Sequence, residues 1–211
     1  MQAFPYRGGV KLLLDPRKLS EHEMVAAVMG FTDAAREHEA RKRGMNKAGV
    51  IALFDFTYWA NRHLLDVAAK LTPEQWVAPS EITERSLRGT LVHTLDVEWS
   101  WRLRLQKRPK EEWGPDVELK PEDYPTVASL AEHWARDENE MRAWLASLDD
   151  ATLASDWDIS DKRLFPLWTY LVHIVTHSQQ QRSDAAILLT RAGHSPGNIE
   201  FLDYADSTPT K

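Results

Sequence analysis

The residues in this sequence best suited to chemistry are three histidines: His93, His173 and His177. His93 lies between Val92 and Leu95 in the apolar stretch LRGTLVHTLDVEW. A polar ring at the core edge of a helix needs a partner, because an unpaired polar group is costly to bury. His173 and His177, in LWTYLVHIVTHSQQQR, stand four residues apart and so project from one helical face. Two imidazoles at that spacing can reach a single metal ion. A third ligand from another helix completes the pattern of catalytic metals, which keep one coordination position open. Hydrogen-bonded core histidines would have the same spacing, so the pair alone leaves both readings open. The remaining histidines, at 22, 38, 63, 133 and 194, lie among polar residues or in loops and read as surface residues.

These rings need helices to position them, and the sequence supplies four long ones. The first runs from about Lys47 to Leu71, with Val50, Ile51, Phe54, Tyr58, Leu65 and Val67 at helical spacing. Thr72-Pro73-Glu74-Gln75 then reads as a capping box with proline at the first helical position, opening a short turn that carries Trp76 inward. The second helix starts at the N-cap Ser86 and runs to about Lys107, with Leu87, Leu91, Leu95 and Trp99 four apart. Gly89 within it reads as a point of close helix approach. The linker from Pro109 to Pro125, rich in proline and charge, reads as irregular. The third helix covers about Thr126 to Leu148, and a second connection reaches Lys162. The fourth runs from about Pro166 to Ala192, where Gly193 provides a left-handed cap and Pro196 blocks continuation. No β-alternation competes. The pattern predicts an all-α four-helix bundle with irregular crossover connections.

Residues 1–44 differ from the rest. They are either a genuine N-terminal helix over Glu21 to Arg43 or an upstream extension, short-helical or disordered, ahead of a natural start at Met45. The bundle is expected over 45–205 and a flexible tail over 206–211. A chain of 211 residues, 43% hydrophobic and 27% charged, holds one sizeable core and is not disordered throughout. The net charge of −6 disfavours nucleic acid as a partner, and the basic runs Arg41–Arg43 and 102–110 read as solvated helix surface. The absence of cysteine excludes disulfides, thiolate ligands and a catalytic thiol of the protein's own. No apolar run approaches the roughly 20 residues that span a bilayer, and the N-terminus does not read as a signal peptide. A cytoplasmic protein with no membrane partner is expected. Nine tryptophans imply bulky inter-helix contacts or an aromatic-walled cleft.

From Asn46 to Tyr204 the sequence resembles the DinB-like superfamily of metal-binding helical bundles. The resemblance rests on YWANRHLL, LTPEQW and SLRGTLVHTLDVEWSWRLRL in order, and most of all on LVHIVTHSQQQRSDAAILLTRAGHSPGNIEFLDY. That last stretch is similar to the family's pattern of three histidines at four-residue intervals, the third followed by arginine, then a helix, Gly-His-Ser-Pro-Gly and an acidic-aromatic tail. The resemblance implies a divalent metal, nickel or zinc, held by a second-helix histidine and two fourth-helix residues. On matching positions these are His93, His177 and position 181, but position 181 is glutamine. His173 matches the family's first histidine, which is usually not a ligand. Positions 173 and 181 are separated by roughly 12 Å of helix, too far to share an ion. The site is therefore His93, His177 and Gln181, or His93, His177 and His173, or a lost site on a retained fold. An amide oxygen is a weak ligand for zinc or nickel, so the first arrangement implies low affinity.

Asp96 and Asp184 are candidates to orient an imidazole from behind. Arg182 is either a surface residue or an anion clamp at the cleft mouth. Trp59, Trp99 and Trp168 are candidates to wall the pocket or to pack in the core. The resemblance further implies a metal-dependent enzyme: a transferase using a low-molecular-weight thiol such as bacillithiol or mycothiol, or a hydrolase using metal-bound water. Its substrate would be a small molecule, and the chain could form a homodimer. The alternative is a non-catalytic, stress-associated binding module whose metal site Gln181 has degraded.

Overall fold

The computed structural model describes residues 44–159 and 164–207. The possible helix over Glu21 to Arg43, and with it nearly all of the 1–44 extension, lies outside the described residues.

Helix α1 (Lys47–Ala68) begins where the Asn46 side chain accepts the Gly49 N–H at 2.9 Å. The Thr72–Gln75 capping box then opens α2 (Pro73–Val77), as its residue types predict. Trp76 is buried there, donating its indole N–H to the Tyr124 carbonyl at 3.1 Å. Helix α3 (Leu87–Leu105) is capped by Ser86, and the chain leaves it through Lys107 at φ 58°. Three single-turn 3-10 helices follow, at Lys110–Glu112, Pro115–Val117 and Pro121–Asp123, in the stretch that read as irregular. Helix α4 (Val127–Ser147) opens on a reciprocal Thr126–Ser129 box. The second connection holds a short helix α5 (Asp150–Ala154) and an antiparallel pair, β1 (Asp156–Asp158) and β2 (Leu164–Pro166), with Trp157 opposite Phe165. Three-residue strands are too short for an alternation signal, which is why periodicity passes over them. Helix α6 (Leu167–Arg191) ends at Gly193, whose φ of +86° strains any residue with a Cβ. A final helix α7 (Phe201–Ser207) extends two residues into the expected tail; residues 208–211 lie outside the described residues.

Two apolar clusters fill the bundle. One gathers Leu64 from α1, Leu91 and Leu95 from α3, Trp134 from α4 and Leu189 from α6. The other gathers Phe54 and Tyr58, Leu105, Met141 and Leu145, and Leu171 and Ile174 from the same four helices. Their order along each helix sets the topology. Helices α1 and α6 run from the second cluster to the first, and α3 and α4 run the opposite way. Parallel neighbours cannot be joined by a tight turn, so the α3–α4 connection must cross the length of the bundle. That requirement explains the long linker of residues 106–126. Helix α6 packs mainly on α3 and α1, which places its histidines on the side of the bundle that carries His93 of α3. Among the described residues no helix is long and apolar enough to cross a membrane.

Gly89 does not serve helix approach. A Cβ there would first meet Arg85 Cβ and Ser86 Oγ, both at 3.3 Å, in the turn before it.

Candidate functional site

Helices α3 and α6 bring the imidazoles of His93 and His177 together, with ring centroids 5.4 Å apart and planes at 70°. Both rings are half-buried. The Nδ1 atom of His177 is buried and has no hydrogen-bond partner. A buried polar atom left in that state is costly unless something else completes it. His173 lies 6.3 Å from His177, but it is exposed and sets its ring edge-on to Trp101 at 5.1 Å.

The crossover brings a further carboxylate to His93. Asp96 is buried one turn beyond His93, and its Oδ1 accepts the Leu119 N–H at 2.8 Å. That bond ties the linker to α3 and places Glu118 over the histidine. His93, Asp96 and Glu118 each offer a ligand atom, and these atoms all lie within 4.8 Å of one another. They form a possible metal-binding triad of one imidazole and two carboxylates. Such a donor set fits zinc or another divalent ion of similar preference.

Electrostatics favour the neutral form of both imidazoles and oppose ionisation of Asp96. Burial and the nearby Arg85 push the His93 pKa down against the pull of Glu118 and Glu84. Burial, reinforced by His93, His173 and Arg85, takes His177 down to about 4. Both rings are therefore neutral at physiological pH, the form in which imidazole binds metal. Burial raises the Asp96 pKa, Glu118 adds to this, and the Leu119 hydrogen bond works against it. Beside the triad opens a cleft of about 290 Å³, lined by Arg85, Gly89, His93, Glu118 and Leu119 among others.

Residues 45–211 match the family model of the DinB family. The chain belongs to the DinB family. No curated protein matches it. As a DinB-family bundle it departs from the expected ligand pattern at Gln181, which is half-buried one turn beyond His177 on α6. Around His93 the possible ligand group is that imidazole with two carboxylates, and the His177 ring stands beside it.

Several sequence expectations change. Asp96, read as an orienting residue, is itself a possible ligand. Asp184 is half-buried on α6. Arg182 is neither a surface residue nor a clamp at the cleft mouth. It is fully buried, donates Nη1 to Asn61 Oδ1 at 3.1 Å and Nη2 to Gln179 Oε1 at 2.9 Å, and lies over the Phe56 ring. Its place in a helix interior follows from the i, i+4 relation to Ser178, which is buried on the same face. None of the three candidate tryptophans lines the cleft. Trp59 stacks on His63 and contacts Tyr204 of α7, while Trp99 and Trp168 pack against the two apolar clusters. His63 and His133 are not simple surface rings either. His63 Nε2 pairs with the Pro196 carbonyl at 2.7 Å, and His133 Nδ1 with the Tyr124 hydroxyl at 2.6 Å.

Sequence reasoning missed Glu118. Its neighbours form no periodic pattern, and long-range contacts of the crossover bring it into place, among them the Asp96–Leu119 bond spanning 23 residues.

Proposed function

We propose that this DinB-family protein is a divalent-metal-dependent enzyme acting on a small molecule, with its metal held by His93, Asp96 and Glu118 beside His177. The observation that carries this reading is the convergence of those three side chains next to an imidazole whose buried nitrogen lacks a partner. A bound zinc or nickel ion would lower the pKa of a water or of a low-molecular-weight thiol and make a nucleophile near neutral pH. The chain's own residues do the rest. Asp96 anchors the crossover through Leu119 and thereby positions Glu118. His177 stays neutral and can complete its buried nitrogen against the metal or a substrate proton. Leu119 and Pro121 wall the cleft on the crossover side. A cleft of about 290 Å³ suits a small substrate and not a polymer. A cytoplasmic location and a thiol co-substrate fit this chemistry, since the chain has no thiol of its own.

The test is the metal content of purified wild type beside His93→Ala, His173→Ala and His177→Ala. The reading expects one ion per chain in wild type, loss in His93→Ala, weakening in His177→Ala and no change in His173→Ala. A metal-free wild type under zinc and nickel supply would favour the stress-associated binding module instead, with Gln181 as the mark of a degraded site.

A further inference from the structure

Arg85 occupies an unusual position for a cation. It lines the same cleft as His93 and Glu118, and its charge reaches both His93 and His177. Its ion-pair partner is its own chain neighbour Glu84, at 3.1 Å, whose side chain is 83% exposed. Pairs of that kind are weak and readily exchanged. Gly89 sits one turn along α3 from Arg85. A Cβ at that position would press on Arg85 Cβ and Ser86 Oγ at 3.3 Å, so the glycine keeps the cleft floor beside Arg85 open.

Charge balance then indicates what belongs there. Asp96 and Glu118 bring two carboxylates to the triad, matching the charge of a divalent ion. Arg85 adds a positive charge to the cleft lining, and its ion pair is with the solvent-exposed Glu84. One more negative charge completes the site, and a planar guanidinium matches the two oxygens of a carboxylate.

We propose that the cleft recognises its substrate through a single carboxylate group held by Arg85, in the cleft it shares with the metal ligands His93 and Glu118. This rests on the metal-enzyme reading above and adds the substrate class: small monocarboxylates.

The test uses the full chain loaded with cobalt(II), whose visible absorption reports on its surroundings. Benzoate and its neutral isostere benzamide are titrated separately. Wild type is expected to bind benzoate saturably and benzamide at least about tenfold more weakly. Arg85→Gln is expected to keep its cobalt and lose about tenfold or more in benzoate affinity, while Arg85→Lys recovers part of the loss. Equal binding of the two probes, no binding of either, or an Arg85→Gln variant that binds benzoate as wild type does would overturn the carboxylate subsite and leave the metal reading standing. If Arg85→Gln loses cobalt, Arg85→Lys decides, because it keeps the charge without the fork. Retained cobalt with weakened benzoate then supports the proposal, and any other result overturns it. A wild type that takes up no cobalt overturns both readings together.

Discussion

Two polar clusters lie within two turns of each other on α3 and α6, and they are built on opposite rules. Around Glu98 every group is closed. Its carboxylate accepts from Ser178 Oγ at 2.7 Å, Trp134 Nε1 at 2.8 Å and Asn61 Nδ2 at 3.1 Å, and Asn61 in turn accepts from Arg182. Four helices contribute to that layer, which lies between the two apolar clusters. Around His93 the opposite holds. The carboxylates of Asp96 and Glu118 converge on the ring, the His177 nitrogen has no partner, and a cleft opens beside them. The contrast separates polarity that holds helices together from polarity left unfinished for a ligand. A satisfied network specifies how four helices meet. An unsatisfied polar atom beside an open cleft is where a ligand gains most by binding.

The largest expected effect comes from breaking the closed cluster. Glu98→Ala leaves three buried donors without their acceptor and Arg182 without its counter-charge. It should cost about 3–5 kcal/mol in denaturant unfolding. Glu98→Gln, which keeps an acceptor oxygen, should cost clearly less. A Glu98→Ala loss below about 1 kcal/mol would erase the distinction between the two clusters.

The open cluster should respond the other way. His93→Ala removes a half-buried ring and should leave stability within about 1 kcal/mol of wild type. Zinc affinity, measured by competition with a chelator, should fall by about a hundredfold or more. A stability loss as large as that of Glu98→Ala would make His93 a structural residue. Asp96→Asn is milder still. It can keep the Leu119 hydrogen bond while removing one negative charge, so zinc affinity should drop about tenfold with the fold intact.

The smallest effect is one of pH in the metal-free protein. His177 is lowered from its ordinary value of 6.5 to about 4 in the fold, so the unfolded chain takes up its proton first as pH falls. Its contribution to stability is complete above pH 6.5 and is lost progressively toward pH 4. The His177 ring resonances in NMR should titrate near pH 4, and a midpoint near 6.5 would place the ring in solvent.

Much of this fold could be read from the chain. Asn46, Thr72, Ser86 and Thr126 cap the elements their residue types predict, and Gly193 closes α6 in the left-handed conformation. Local chemistry sets those boundaries, so local sequence reveals them. His93 and His177 were legible for the same reason, each lying on an apolar helical face. Glu118 was not, because long-range contacts such as the Asp96–Leu119 bond place it in a segment without periodicity. Arg182 was misplaced because an arginine in a charged helix segment reads as solvated, whereas its partner Asn61 lies 121 residues away on another helix. The paired short strands and α7 escaped notice because too few residues carry their pattern.

The central claim is that Glu118, arriving from the crossover, replaces the ligand that Gln181 no longer provides. The most direct measurement is zinc affinity by chelator competition for Glu118→Gln and Gln181→Ala side by side, with thermal unfolding as the check on folding. The account predicts that Glu118→Gln weakens zinc by at least about tenfold while Gln181→Ala matches wild type. Wild-type affinity in Glu118→Gln together with loss in Gln181→Ala would contradict it.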